Sequence, residues 1–222
     1  MNEYTYLLPQ SSVLRALHTV VRDVSISPER FVAASKRIIQ MLIESGLNLL
    51  PFEACPIQTP VGQTFSGLCF KGQLCGVSIL RAGETMETVF REMCPSAPIG
   101  KILIQRDRET KRPKHYLSLL PDDIAQRHVL LFEPMIATGG SVIAAINELC
   151  SHGVNEDHII LINFLTVSEG IASLRRHYPR LKMVTSAIDE GLNEQAYMLP
   201  GIGDFGDRYF GTVRSQQLRK QG

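Results

Sequence analysis

The sequence predicts an α/β fold in which helices cover both faces of a parallel β-sheet. Five short apolar runs indicate buried strands, and the segments between them carry helical signals. Strands that are apolar along their whole length are typical of parallel sheets that are buried on both faces. The chain has 222 residues, which predicts one domain, 1–222, large enough for its own core. The runs are Gly76–Leu80, Ile99–Ile104, His128–Phe132, Ile159–Leu165 and Met183–Ile188.

The N-terminal region, residues 1–50, is predicted to be helical. Ser27 is expected to cap a helix that has proline at its first position and ends at Gly46, because apolar residues recur between them at helical spacing. The next segment, Pro56–Phe70, is rich in threonine, glycine and valine. It predicts a β-hairpin that turns near Pro60–Gly62.

Helices are also expected between the predicted strands. One helical stretch ends at Met93, and a second spans about Gly140–Ser151 before Gly153. A third is expected to start from a cap at Ser168 and to end at His177. These helices supply the crossovers that a parallel sheet requires.

Composition and charge exclude several classes of protein. Lys and Arg total 23 and Asp and Glu total 22, and this net charge of +1 argues against nonspecific binding to nucleic acid. No apolar run approaches the ~20 residues of a membrane-spanning helix, and the N-terminus has no secretory signal pattern. The five cysteines include no CxxC pair, so we expect reduced thiols in a cytoplasmic protein, with neither a disulfide framework nor a zinc cluster.

The strongest ligand-binding pattern follows the predicted strand that ends at Phe132. Glu133 stands directly after this strand, at the edge of a parallel sheet where ligands bind. Thr138, two glycines and Ser141 then begin a helix, where free N–H groups and the helix dipole favour a phosphate. The carboxylate of Glu133 is placed to accept hydrogen bonds from ribose hydroxyls. The alternative is a capped helix whose glycines allow tight packing.

A second pattern, at Ile79–Gly83, places an arginine in a glycine-containing turn at a strand end. The forked guanidinium of Arg81 suits a diphosphate. The alternative is a surface ion pair between Arg81 and Glu84 or Glu87. The residues alone favour the surface ion pair.

A third pattern, Tyr197–Arg208, contains three glycines and a proline. We expect no helix there, and Pro200 weakens any central strand. Such a segment exposes backbone N–H and C=O groups, which can match the acceptor, donor and acceptor along the edge of uracil. The alternative is an ordinary glycine-rich surface turn.

Together these segments resemble the uracil phosphoribosyltransferase family, over most of the chain from about residue 11. The resemblance implies a type I phosphoribosyltransferase fold, which is a parallel sheet with flanking helices. It implies N-terminal helices over 1–50, a hairpin arm, an α/β core over 74–190 and a uracil-binding hood over 191–213. The matching segments are Ile79–Gly83, Gln105–Asp107, Glu133–Ser141 and Tyr197–Thr212.

The resemblance also implies a reaction, in which uracil and phosphoribosyl pyrophosphate (PRPP) give UMP and pyrophosphate in pyrimidine salvage. The uracil contacts that it implies are Met198, Gly203, Asp204 and Phe205. The PRPP contacts that it implies are Arg81, Arg106, Glu133, Pro134, Met135, Ile136, Ala137, Thr138, Gly139, Gly140, Ser141 and Asp204. The predicted catalytic residues are Arg81, Arg106, Glu133 and Asp204.

The chemistry agrees with these assignments. Loss of pyrophosphate builds positive charge on the ribose and negative charge on the leaving group, which Arg81, Arg106 and Mg²⁺ would stabilise. The family uses Mg²⁺ held largely by the substrate, so no protein ligand for the metal is predicted. The segment Arg106–His115 has five Lys or Arg and two Asp or Glu, and it predicts a mobile electropositive flap, the alternative being a solvated loop. The resemblance further implies a homodimer or homotetramer, with GTP as an effector in some relatives.

One residue departs from the family pattern, which usually has Asp at the position of Glu133. The extra methylene moves the carboxylate by roughly 1.5 Å, and a displacement of that size can cost about 100-fold in rate. An alternative is therefore a catalytically weak or silent uracil- or nucleotide-binding homologue with a regulatory role. An RNA-binding regulator is a third hypothesis, which the net charge of +1 disfavours. Specificity for cytosine or a purine also stays open.

Overall fold

Eight strands form one sheet, which is parallel except at one edge. The computed structural model describes residues 4–106 and 113–212. The central strands are β1 (Thr5–Leu7), β4 (Gln73–Leu80), β5 (Ile99–Arg106), β6 (Pro113–Leu119), β7 (Arg127–Phe132), β8 (Met135–Ile136), β9 (Ile159–Val167) and β10 (Lys182–Asp189). Their order is β1-β10-β9-β7-β4-β5-β6, with β8 beside β9. Only the β5–β6 pair is antiparallel among these strands.

Two further strand pairs and six α-helices complete the described part of the chain. The outer strands are β2 (Phe52–Gln58), β3 (Thr64–Phe70), β11 (Gly191–Leu192) and β12 (Met198–Leu199). The helices are α1 (Ser12–Arg22), α2 (Pro28–Leu47), α3 (Glu87–Met93), α4 (Gly140–Ser151), α5 (Ser168–His177) and α6 (Phe205–Phe210). Short 3₁₀ turns lie at Ala82–Met86, Ile124–Gln126 and Glu156–His158.

The alternation of side chains along each strand divides the core into two layers. In β7, Leu130 and Phe132 join the cluster that packs with α1, α2 and α3. Val129 and Leu131 point to the other face and join the cluster beneath α4. Since both faces are covered, all nine residues of β9 are buried. The five predicted strands and the α/β class are therefore confirmed, with β4, β5, β7, β9 and β10 each slightly longer than predicted.

The N-terminal region is more than helices. The cap at Ser27 is confirmed, because its side chain accepts a hydrogen bond from the N–H of Arg30 at 3.5 Å, and α2 ends at Leu47, one residue beyond the predicted stop. The prediction missed β1, which pairs with β10 in parallel. A strand of three residues is too short to show a period of two.

Two other predictions need correction. Ser168 is the first residue of α5 and the cap position is Val167, which has no side-chain oxygen to accept a hydrogen bond. The predicted flap Arg106–His115 runs into β6, which the sequence analysis missed because most of its residues are exposed. The remainder of the flap, residues 107–112, lies outside the described residues.

The hairpin arm is confirmed, and it corrects the prediction for two cysteines. β2 and β3 pair antiparallel, with Cys55 opposite Gly67 and Cys69 opposite Glu53. Cys55 and Cys69 are thus diagonal neighbours on one face of the hairpin, and they form a disulfide with a Cα–Cα distance of 5.5 Å. Cysteine spacing does not reveal strand register, so the expectation of reduced thiols is wrong for this pair. Cys75, Cys94 and Cys150 are free.

Within residues 4–106 and 113–212, no helix has the length and apolar character to span a bilayer.

Candidate active site

A cavity of about 390 Å³ opens at the carboxyl ends of the parallel strands. One wall is the loop after β7 and the other is the hood, which the structure describes over residues 191–212. The predicted site residues in its lining are Glu133, Met135, Ala137, Met198, Gly203, Asp204 and Phe205. Other lining residues were not predicted, among them Asn193, Gln195, Ala196 and Ile202. Two segments that are far apart in sequence therefore share one cavity, as the sequence pattern predicted.

The amino end of α4 borders a smaller cavity of about 20 Å³. Gly139, Gly140 and Ser141 line it together with Glu133, which lines both cavities. Gly139 occupies the cap position with φ of 79°, and the described residues provide no side-chain cap for this helix. Thr138 is exposed. The first turn of α4 thus faces the side of the cavity that holds Glu133.

Buried polar residues of β9 hold the loop after β7. The side-chain amide of Asn163 donates to the carbonyls of Glu133 at 3.1 Å and Pro134 at 3.0 Å. The Thr166 hydroxyl donates to the carbonyl of Ile136 at 3.0 Å. Neither residue was predicted, although a buried asparagine within an apolar strand is itself a signal, because such a group needs partners. β9 therefore fixes the backbone that carries the predicted PRPP contacts.

Glu133 is buried at the junction of the two cavities. Its N–H donates to the carbonyl of Ile162 at 3.2 Å, which ties the residue to β9. Its Oε1 accepts from the N–H of Met135 at 3.4 Å. The carboxylate therefore stands on a fixed backbone between the helix end and the hood.

Arg81 lies beside the cavity and contacts the hood. Its guanidinium donates to Asp207 and, at 3.2 Å, to the hydroxyl of Thr212, and it lies 5.5 Å from the ring centroid of Phe210. The hydrogen bond from Thr212 and the one from Arg81 hold the pKa of Asp207 below its usual range. The ion pair that the sequence suggested as an alternative, with Glu84 or Glu87, is wrong.

Lys101 explains why those two glutamates are not available to Arg81. Its ammonium lies 2.9 Å from Glu84 and 3.3 Å from Glu87. The hydrogen bond that Lys101 donates to Glu84 raises the pKa of Lys101. Arg81 is thereby left to contacts with α6 and the residues after it.

The hood is built from a short hairpin, a glycine turn and a helix. β11 and β12 pair antiparallel, and the Asn193 side chain closes their turn by accepting from the N–H groups of Gln195 and Tyr197 at 3.0 and 2.9 Å. The expectation that 197–208 contains no helix is wrong at its end, where α6 begins. Asp204 caps this helix by accepting from the N–H of Asp207 at 2.8 Å. The glycines all precede Asp204 or lie within the first turn, so they do not prevent the helix.

Phe205 joins the hood to the core. Its ring is buried, with centroids 5.5 Å from Phe31 of α2 and 5.0 Å from Phe164 of β9. Arg106 ends β5, and its side chain lies outside the described residues. The structure thus gathers all the described predicted residues at one edge of the sheet, while their roles in binding stay predictions.

The fold and the position of the site define the class, an α/β protein with a cavity at the carboxyl ends of a mostly parallel sheet. A solved structure from Aquifex aeolicus superposes with a TM-score of 0.82 at 25% identity, covering 94% of this chain and 99% of that one. The adenine phosphoribosyltransferase of Trypanosoma brucei superposes with a TM-score of 0.56 at 12% identity, over 90% of this chain and 88% of its own, which shows a shared fold.

The particular family follows from sequence. The chain belongs to the uracil phosphoribosyltransferase family, whose family model matches residues 8–212. It is 49% identical to the uracil phosphoribosyltransferase of Lachancea kluyveri, over 92% of this chain and 95% of the relative. It is 48% identical to that of Dictyostelium discoideum, over 95% and 97% of the two chains. The resemblance on which the sequence analysis rested is confirmed.

Proposed function

We propose that the protein transfers the phosphoribosyl group of PRPP to N1 of uracil, giving UMP and pyrophosphate in pyrimidine salvage. Family membership supports this reaction. The observation that carries it is the single cavity lined by Glu133 and Ala137 on one side and by Met198 and Phe205 on the other. Transfer requires the anomeric carbon and the pyrimidine nitrogen to be held in contact, and such positioning is a large part of catalysis.

The phosphate and ribose of the substrate fit the side of the cavity formed by α4 and β7. The amino end of α4, with glycine at its cap and its first position, offers backbone N–H groups to the 5-phosphate. Glu133 lies between this helix end and the hood, where its carboxylate accepts hydrogen bonds from ribose hydroxyls. The ribose then lies between its phosphate and the pyrimidine.

The hood side fits a planar base. Met198, Ile202 and Phe205 supply apolar surface for its faces, and Gly203 brings the backbone close to its edge. Hydrogen bonding from backbone groups would reject a base with a different donor and acceptor pattern, because a mismatched base leaves buried groups unpaired. We therefore propose uracil over cytosine or a purine.

Arg81 is proposed to bind the leaving pyrophosphate. Its pair with Asp207 is half-exposed, and such pairs contribute about 0–1 kcal/mol, so exchanging the carboxylate for a polyanion costs little. The guanidinium then stabilises the negative charge that develops as pyrophosphate leaves. Arg106, at the end of the neighbouring β5, is proposed to do the same from the other side.

Mg²⁺ fits this site as a metal carried by the substrate. Glu133 and Asp204 line the same cavity, and Mg²⁺ is usually bound by one or two carboxylates together with substrate phosphates. When bound, the metal would neutralise charge on the pyrophosphate.

We also propose that the protein is a homodimer or homotetramer. Its hairpin arm exposes large apolar side chains, which are Phe52, Ile57, Val61, Phe65 and Leu68. Apolar surface of this kind is a common site of protein association. Activation by GTP is carried over from the family resemblance alone, and a cytoplasmic location from the cysteine pattern of the sequence. Sedimentation tests the oligomer, and a GTP titration of the activity tests the effector.

The deciding experiment mixes labelled uracil, PRPP and Mg²⁺ and measures UMP, beside the variants Glu133→Asp and Glu84→Asp. Because β9 fixes the backbone at residue 133, aspartate withdraws the carboxylate by roughly 1.5 Å to the usual position in the family. We expect UMP from the wild type and a higher kcat for Glu133→Asp, by up to about 100-fold. Glu84→Asp, which changes a residue outside the cavity, should match the wild type. Uracil binding without UMP formation would instead identify a silent, regulatory homologue.

A further inference from the structure

An ion pair between α1 and β10 contacts the hood from outside the cavity lining, at the back of the hood. Arg22, the last residue of α1, donates to both carboxylate oxygens of Asp189, the last residue of β10, at 2.7 and 3.1 Å. The Asp189 side chain is 3% exposed and that of Arg22 is 24% exposed. A carboxylate this deeply buried requires its partner, because the isolated charge is costly.

The same two side chains bind both polar backbone groups of one hood residue, Gly201. Its N–H donates to Oδ2 of Asp189 at 2.8 Å, and its C=O accepts from Nη1 of Arg22 at 3.0 Å. Gly201 has φ of +68°, and a Cβ at this position would lie 2.2 Å from the carbonyl oxygen of Met198. The ion pair therefore fixes a turn that only glycine can form, directly between Met198 and Gly203.

A second arginine joins the hood to the same helix end. Arg208 of α6 donates to the carbonyl of Ile202 at 2.8 Å, and to the carbonyls of Val21 and Asp23 at 2.6 and 2.9 Å. Carbonyls at the end of a helix lack partners within it, so α1 offers acceptors for this purpose. The guanidinium also lies 4.2 Å from the ring centroid of Phe31. The end of α1 and the turn that precedes α6 thus form one hydrogen-bonded unit.

We propose that Arg22 and Asp189 are positioning residues for pyrimidine recognition, which makes the end of α1 part of the specificity apparatus. The proposal rests on the proposed function. Neither residue lines the cavity, and both act through Gly201 on the adjoining Met198 and Gly203. Recognition through backbone groups tolerates displacements of only about 0.5 Å, so a freed Gly201 weakens uracil binding.

A second arginine–aspartate pair in the same chain, whose aspartate is 38% exposed, serves as the control. Arg127 donates to both oxygens of Asp123 at 2.7 and 2.6 Å, and also to the carbonyl of Leu74 at 3.1 Å. It therefore makes the same set of bonds as Arg22. Arg127 begins β7 and Leu74 lies near the start of β4, so this pair stands at the amino ends of the strands, opposite to the cavity.

The test compares Arg22→Met with Arg127→Met, measuring kcat, KM for uracil, KM for PRPP and Tm. For Arg22→Met we expect KM for uracil to rise about 10-fold, while KM for PRPP changes less than about 2-fold. For Arg127→Met we expect a loss of Tm with both KM values unchanged. Arg22→Lys keeps the charge but not the forked donors, so its KM for uracil should fall between those of the wild type and Arg22→Met. If Arg22→Met does not fold, Arg22→Lys is compared with Arg127→Lys. Only Arg22→Lys should then raise KM for uracil without a similar rise in KM for PRPP.

Equal changes in both KM values for Arg22→Met, or no change in KM for uracil, would overturn the positioning role. A rise in KM for uracil in Arg127→Met of the same size would also overturn it, because the effect would then be one of stability. If the wild type makes UMP, these outcomes concern the ion pair alone. If the wild type binds uracil without making UMP, the calorimetric Kd for uracil replaces KM in the comparison. A wild type that does neither overturns both the proposed function and this inference.

Discussion

Two arginine–aspartate pairs tie the hood to the rest of the molecule, and they differ in burial. Arg22–Asp189 lies behind the hood with side-chain exposures of 24% and 3%. Arg81–Asp207 lies at the front, beside the cavity, with exposures of 49% and 40%. The same chemical pair therefore occurs once with a buried carboxylate and once, beside the cavity, with both partners half-exposed.

Burial decides what each pair can do. Breaking a buried pair leaves an uncompensated charge and costs about 3–5 kcal/mol, so Arg22–Asp189 holds the hood at all times. An exposed pair contributes about 0–1 kcal/mol, so Arg81 can leave Asp207 for a pyrophosphate. The pair Arg22–Asp189 thus holds the hood permanently, whereas the contact of Arg81 with Asp207 can be replaced by a contact with pyrophosphate.

The largest expected effect is on stability, in Asp189→Ala. This change strands the Arg22 guanidinium and the N–H of Gly201, so we expect the free energy of unfolding to fall by about 3–5 kcal/mol. Asp207→Ala should cost no more than about 1 kcal/mol. Urea denaturation of the two variants measures both values. Equal losses would show that burial does not distinguish the two pairs.

The next effect is catalytic, in Arg81→Ala. Removing one donor to a developing anion typically costs about 10²–10³ in rate, and we expect kcat/KM for PRPP to fall by that factor. The Kd for uracil, measured by calorimetry, should change less than about 2-fold, since Arg22 and Asp189 still hold the hood. An equal loss of uracil binding would mean that the front pair also positions the hood.

The residues beside the cavity were predictable from the sequence, whereas Arg22 and Asp189 at the back of the hood were not. β4 and β7 each contain an apolar run because their later residues are buried on both faces of the sheet. The sequence therefore showed where these strands end, at Leu80 and Phe132, and the residues that follow could be assigned to a site. β6 and β1 were missed because an exposed strand and a three-residue strand carry little pattern. Most of the fold could therefore be predicted from the apolar central strands and the sequence motif of the hood.

The contacts at the back of the hood join residues that are far apart in sequence, so no local sequence pattern predicts them. Arg22 and Asp189 are 167 positions apart, and neither stands in a motif. Asn163 gave a signal, a polar residue within an apolar strand, but its partners could not be inferred. Cys55 and Cys69 became neighbours only through strand register. Local sequence patterns predict which residues lie at the carboxyl ends of the strands. The long-range contacts that hold those residues in position depend on how the elements pack, and local patterns do not predict them.

Acid should lower the stability of the protein through His18, which lies in α1 one turn before Arg22. Burial lowers the pKa of His18 to about 4, and the charge of Arg22 adds to the lowering while Asp189 opposes it. The unfolded chain takes up a proton near pH 6.5 and the folded chain does not, so stability falls as the pH drops from about 6.5 to about 4. Tm measured over this range should fall less in His18→Gln. An identical pH profile in the variant would show that the pKa of His18 is the same in the folded and the unfolded chain.

The smallest expected effect is in Asp207→Asn, which tests whether the front pair is exchangeable. The variant removes the carboxylate that competes with pyrophosphate for Arg81, so we expect KM for PRPP to fall by up to about fivefold, the equivalent of about 1 kcal/mol. The hydrogen bonds of Thr212 and Arg81 hold the pKa of Asp207 below its usual range, so the aspartate is ionised at the pH of the assay and the substitution does remove a charge. Asp157→Asn, which removes a carboxylate from an exposed pair with Arg180 near the amino end of β9, is the control and should leave KM unchanged. A rise in KM for PRPP in Asp207→Asn would mean that Asp207 orients Arg81 for the substrate, and the front pair would then be as fixed as the back one.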